Sequence, residues 1–252
     1  MDTREALVHS LITLGDDHLI LGHRLSEWSG HAPMLEEDLS MSNMALDLIG
    51  QARNIYTYAG EVEGKGRDED ALAYLRTERE YYNVLMVERP NGDFAHTMLR
   101  QFYFAVYMQA SWAAMVESKD ETLRGIAGKA VKEISYHVRH AGEWVVRMGD
   151  GTEESAERIK SAAAALHRYT NELFTVNSAL QICIDAGSLP DPSKLRDSWN
   201  NSISQVFKQA FLEVPEVAAP QEGGRDGRHT EDFGHLLSDL QYLQRTYPGQ
   251  KW

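Results

Sequence analysis

The chain has 252 residues and a formal net charge of −13, enough length to bury a sizeable core in one or two domains. That charge, with a pI near 5.2, argues against a nucleic-acid binder, which needs a basic face, and against adhesion to anionic membranes. A single cysteine, Cys183, excludes an internal disulfide and suits a reducing cytoplasm. Set among Leu180, Ile182 and Ile184, it is expected to be a small core residue rather than a reactive thiol.

The opening residues, Met1-Asp2-Thr3-Arg4-Glu5, lack the basic region and apolar run of a signal peptide. No stretch approaches the roughly 20 apolar residues that cross a bilayer, so a cytoplasmic protein is expected. The first predicted helix runs from Thr3 to Trp28. Its apolar stripe, Leu7, Leu11, Leu14, His18, Leu21, Leu25 and Trp28, has the spacing of one buried helical face. Ser29 to Pro33 breaks it, and Pro33 can begin the next helix.

That second helix is expected over Met34–Ala59, with Glu36, Glu37 and Asp38 in the first turn, where the helix dipole favours them. Gly60 to Asp70 is read as a charged loop. A shorter helix, Glu69 to Glu88, ends at the turn signal Arg89-Pro90-Asn91-Gly92. The third long helix, Phe94 to Glu117, has aromatics on every side (Phe102, Tyr103, Phe104, Tyr107, Trp112), which predicts burial on more than one side. Met34, Met41, Met44, Met108 and Met115 suit gap-filling in such a core.

The fourth helix, Glu121 to Met148, carries the stripe Leu123, Ala127, Ala130, Ile134, His137, Ala141, Trp144, Met148. A fifth is expected over Glu153–Ala186, stopped by Gly187 to Pro192, and another over Ser193–Phe211. Val214 to Asp226, with Pro215, Pro220 and clustered glycines, is read as an extended connection. A final helix spans Thr230–Thr246, capped by Thr230.

No run has a convincing strand period, so the chain is expected to be all-α. Helices of about 25 residues are about 37 Å long. Two long hairpins joined by a shorter crossing helix make a ferritin-like long-helix bundle with additional C-terminal helices. We expect one such domain over residues 1–252, with the bundle core at about 3–149 and C-terminal helices and tail at about 153–252.

Ferritin-like metal bundles take one Glu from each of two helices and a Glu-x-x-His from each of the other two. No Glu-x-x-His occurs in this sequence. The second long helix has no His between Leu39 and Gly60, and the third has no Asp or Glu between Phe94 and Val116. The best remaining cluster is Glu133, His137 and His140 on one helical face, able in principle to ligate a metal. The plainer expectation is that His137, on the apolar stripe, is a hydrogen-bonded core residue. His18, beside Asp16 and Asp17, could belong to an acid–base pair or half a metal site, but it too is expected to be structural. In three Asp-x-x-His sequences (Asp93–His96, Asp226–His229, Asp232–His235) the Asp is expected to act as a cap or first-turn acid. Glu222-Gly223-Gly224-Arg225 follows no strand and is not a phosphate cradle.

Several stretches together resemble one family. They are Leu14-Gly15-Asp16, Glu27-Trp28-x-Gly30-His31-Ala32-Pro33 and Ala45-Leu46-Asp47-Leu48-x-Gly50-Gln51-Ala52-Arg53-Asn54. Val87-Glu88-x-Pro90-Asn91-Gly92 and Lys132-Glu133-x-x-Tyr136-His137-x-Arg139 follow. The last are Gly227-x-His229-Thr230-Glu231 and Gln241-Tyr242-Leu243-Gln244-Arg245-x-x-Pro248-Gly249-Gln250-x-Trp252. They resemble the structural C subunits of bacterial phenylacetyl-coenzyme A ring-epoxidases, over nearly the whole chain. The resemblance implies a non-catalytic ferritin-like subunit that stabilises a homologous di-iron catalytic subunit. It implies a multicomponent monooxygenase of aerobic phenylacetate breakdown, supplied with electrons by an NADPH-dependent reductase.

It also implies a degenerate metal site. The second-helix Glu-x-x-His of the catalytic relative falls on Leu48 and Gln51, and the fourth-helix motif on Ile134 and His137. The first-helix carboxylate corresponds to Asp17. Catalytic, cofactor-binding and metal-ligating residues are therefore expected to be none in this chain, with iron in the partner. Two other readings compete: an autonomous ferritin-like metal-dependent oxidoreductase using His18, Glu133 and His137, and a homo-oligomeric helical scaffold.

Overall fold

A computed structural model of the protein describes residues 1–250; Lys251 and Trp252, which close the distinctive C-terminal stretch, lie outside the described residues. The described chain is all-α, without strands, as the missing strand period predicts. Its helices are α1 (Thr3–Ser26), α2 (Leu35–Glu63), α3 (Glu69–Tyr74), α4 (Leu85–Glu88), α5 (Phe94–Met115), α6 (Glu121–Gly149), α7 (Glu153–Leu166), α8 (Ser178–Ala186), α9 (Arg196–Gln209) and α10 (Glu231–Thr246). They fall into two compact units. One holds Met1–Pro90, Ser178–Cys183 and the chain from Glu222 onward; the other holds Asn91–Asn177 and Ile184–Gln221.

The first unit is built on the long α1–α2 hairpin. A reciprocal capping box starts α1: Asp2 accepts the Glu5 N–H while Glu5 accepts the Asp2 N–H, satisfying donors that a helix end leaves without partners. Between Gly15 and Gly22 every residue of α1 is buried, so this part of the helix is covered all round and not along one stripe. Cys183 is buried with its thiol 3.6 Å from the Ser10 hydroxyl, the expected core setting.

Helix α2 runs past Ala59, the expected end, to Glu63, and Gly64 closes it with φ +67. Gly60 is there for proximity: a Cβ at that position would collide with the Arg67 carbonyl. Pro33 and Met34 precede the helix, and Met34 is exposed and not a core filler; the other four methionines are buried. The predicted helix over Glu69–Glu88 is in fact broken into α3, a 3-10 turn at Glu78–Glu80 and α4. Tertiary hydrogen bonds break it: the Tyr82 and Val84 N–H groups donate to Asp16 and Asp17 at 2.8 Å each. Helical geometry would have kept those donors internal.

The second unit is built on the α5–α6 hairpin, with α7 and α9 packed on it. Asp93 caps α5 by accepting the His96 N–H at 2.9 Å. As the aromatic pattern predicts, Phe102, Tyr103, Phe104, Tyr107 and Trp112 are all buried. The α6 stripe also holds: Leu123, Ala127, Ala130, Ile134, His137, Ala141 and Met148 are buried, and only Trp144 is partly exposed. The predicted helix over Glu153–Ala186 is not continuous. It stops at Leu166, tightens to a 3-10 helix over His167–Phe174, and resumes at Ser178. Thr170 and Thr175 donate to the carbonyls of His167 and Glu172, a local competition that opposes a regular helix. The tighter turn lets His167 stack on Trp199 and Phe174 meet Tyr107 edge-on.

Candidate functional site

Each position implied for the degenerate metal site is buried: Asp17, Leu48 and Gln51 in the first unit, Ile134 and His137 in the second. Asp17 is fully engaged. Both its oxygens accept from the Arg225 guanidinium, at 3.0 and 2.8 Å, and it also takes the Val84 N–H. Burial pushes its pKa up to about 6, against the opposing pull of Arg225. Asp16 beside it accepts from Arg76, from the Tyr56 hydroxyl at 2.5 Å and from the Tyr82 N–H. His18 turns its Nδ1 back along its own helix, donating to the Leu14 carbonyl at 2.7 Å.

In the second unit, the stripe from Leu123 to Met148 turns His137 inward, where its Nδ1 lies 3.0 Å from the Gln101 amide. The other two members of the predicted cluster face elsewhere. Glu133 pairs with Lys129 at 3.2 Å, and His140 stacks on Tyr136. Among the described residues no three His, Cys, Asp or Glu side chains gather as a metal-ligating set.

The charged groups that do gather belong to the segment from Glu222 to Asp232, read from sequence as a bare connection leading to a capped helix. Gly224 sits so close to the Asn83 backbone that a Cβ would strike the carbonyl. Arg225 reaches Asp17 and the Tyr82 carbonyl. His229 bridges Glu88, at 2.7 Å, and the Tyr81 carbonyl, at 2.9 Å. The other Glu88 oxygen accepts the Thr230 N–H at 2.6 Å, and Asn83 donates to the same carboxylate. Both side chains of the Glu88–His229 pair are fully buried. Burial is the largest single influence and opposes the imidazolium, but the hydrogen bond and charge of Glu88, with the Tyr81 carbonyl, together outweigh it and the His229 pKa is raised.

Three expectations change here. His229 is half of a buried ion pair, and Asp226 pairs with Arg228 rather than capping. Thr230 does stand at the start of α10, but its side chain makes no cap; the helix entry is held by Glu88. Asp232, in the first turn as expected, pairs with Arg89 at 2.8 Å. Arg24 completes the lock from α1, donating twice to the Glu88 carbonyl. The signal that could have found this lock was the run Gly-Gly-Arg-Asp-Gly-Arg-His itself, because clustered glycine and charge suit a segment pressed against backbone.

A long-helix, all-α chain whose distinctive motifs are spent on internal ion pairs defines the class. The family described as phenylacetic acid catabolic protein matches residues 1–252, and the chain belongs to it. Over 241 residues the chain is 44% identical to the C subunit of 1,2-phenylacetyl-CoA epoxidase from Escherichia coli (strain K12), covering 96% of this chain and 97% of that one.

Proposed function

We infer that this chain is a non-catalytic structural subunit of a phenylacetyl-CoA epoxidase acting in aerobic phenylacetate degradation. It binds and stabilises a homologous subunit that carries the di-iron centre, in a cytoplasmic complex fed by an NADPH-dependent reductase. The observation that carries this reading is the state of Asp17. The one carboxylate implied for the site is neutralised by Arg225 and held by the Val84 N–H.

Leu48 and Ile134 offer no donor atoms, Gln51 offers an amide, and His137 is turned to Gln101. Two irons require several converging oxygen and nitrogen donors, and these residues do not fit them. No metal or cofactor is assigned to this chain, nor any nucleic-acid or membrane partner; among the described residues no helix is long and apolar enough to cross a membrane. Filling such positions with buried Leu and Ile contributes about 1.5–3 kcal/mol each to the fold. One face of α2 supports a subunit role. Leu35, Leu39 and Leu46 lie on it within one side of the helix and are 71%, 57% and 67% exposed, an apolar row of the kind permanent interfaces cover.

The alternative, an autonomous metal enzyme, rests on His18, Glu133 and His137, and the separate partners of those residues weaken it. The test is reconstitution. Purified alone, the chain is expected to turn over no phenylacetyl-CoA, and co-expression with the homologous subunit should give a stable pair that does so with reductase and NADPH. Turnover by this chain alone, or a partner that is stable and active without it, would overturn the reading.

A further inference from the structure

We propose that an open groove along α6, in the second unit, docks an acidic, amphipathic segment of another protein component of the same complex. The inference rests on the subunit reading above and adds a surface to it. The groove has a volume of about 430 Å³. Its floor is apolar, made by Phe102, Val146 and Val206, and Gly142 keeps it open. A Cβ at Gly142 would lie 3.1 Å from the Phe102 ring, filling the depression from one side.

The rim is charged in a sense opposite to the chain as a whole. Arg139, Glu143 and Arg147 stand along it, and Lys132 lies on the same helical face two turns before Arg139. Two cations against one carboxylate on the rim, with Lys132 beyond them, give a locally positive edge on a protein of net charge −13. Glu143 reaches Arg147 only at 3.7 Å, both side chains more than half exposed, so this pair is weak and open to exchange.

The two arginines are also pre-ordered. Arg139 lies over the Tyr136 ring at 5.7 Å and Arg147 over Trp144 at 5.3 Å. Guanidinium groups held against aromatic rings lose less freedom when they bind. Trp, Tyr and Arg together are the residue types that dominate binding energy at interfaces.

An apolar trough between cations fits a segment with an apolar ridge flanked by Asp or Glu. A second copy of this chain suits it poorly, because a two-fold contact would set the same positive edge against itself. The exposed leucine row of α2 is a different face with a different chemistry. It suits a permanent contact, whereas a charged rim suits a steered one.

The test uses the chain co-expressed with the other components of its epoxidase. Affinity of each purified component for the chain is measured at low and high salt, for the wild type, for Arg139→Glu/Arg147→Glu and for Val146→Glu. We expect one component to bind the wild type in a salt-sensitive way and to bind both variants roughly tenfold or more weakly, with helicity and melting temperature unchanged. Wild-type affinity of every component for both variants would overturn the proposal. So would a loss confined to self-association or to binding of free coenzyme A. If the wild-type chain binds no component at all, the subunit reading falls as well, which separates that failure from the first.

Discussion

Asp17 is buried in the charged form it prefers least, and its pH behaviour follows. Its folded pKa of about 6 lies above the ordinary 3.8. A carboxyl raised on folding stabilises the protein below its ordinary pKa and loses that contribution as pH rises through the folded value. His23 has the opposite sign in much the same window: burial lowers it from 6.5 to about 4, so its term grows as pH rises. Asp17→Asn removes one of the two. The stability of that variant relative to wild type is expected to climb by about 1.4 kcal/mol per pH unit between about pH 4 and 6. Urea unfolding of both proteins at several pH values measures it, and parallel curves would refute the assignment.

The Glu88–His229 pair gives a second prediction. Glu88→Ala leaves His229, the Thr230 N–H and Asn83 without their common acceptor. Breaking a buried pair from one side costs about 3–5 kcal/mol, measurable as a lower urea midpoint. A loss below about 1 kcal/mol, the range of an exposed pair, would mean that the pair is not closed in solution. His229 was legible in sequence only as the end of an Asp-x-x-His; its true partner is 141 positions away, and nothing local announces a contact at that separation.

At the scale of elements, the long helices were legible because their apolar spacing is repeated many times. The α6 stripe survived almost intact, and the all-round burial of α5 followed from its ring of aromatics. The breaks were not legible. Tyr82 and Val84 leave the helix pattern to meet Asp16 and Asp17, and α7 gives way to a 3-10 helix beside Tyr103 and Tyr107. Both are tertiary overrides of a good local pattern. The glycines divide on the same principle. Gly224→Ala should cost about 1–3 kcal/mol through overpacking against Asn83, whereas Gly128→Ala, with nothing within 4 Å of a new Cβ, should stabilise α6 by about 0.5–1 kcal/mol. Thermal unfolding of the two variants decides it, and equal shifts of the same sign would contradict the packing argument.

At the scale of the whole molecule, the all-α class and the family followed from helix length and from motifs spread along the entire chain. The resemblance implied a degenerate metal site that includes Asp17, but not what engages that carboxylate. That answer lies in Arg225, which arrives from the far end of the sequence to meet Asp17. The expected division into a bundle core followed by C-terminal helices says nothing of this return, since the segment after Glu222 groups with the first ninety residues. The central claim is that the chain supports an iron-bearing partner and holds no iron itself. The measurement that tests it most directly is metal content per chain, on protein from iron-supplemented cells, alone and co-expressed with the homologous subunit. The account predicts no stoichiometric metal in the chain alone and about two irons per pair in the complex. Stoichiometric metal in the chain alone, lost on substituting His137, would contradict it.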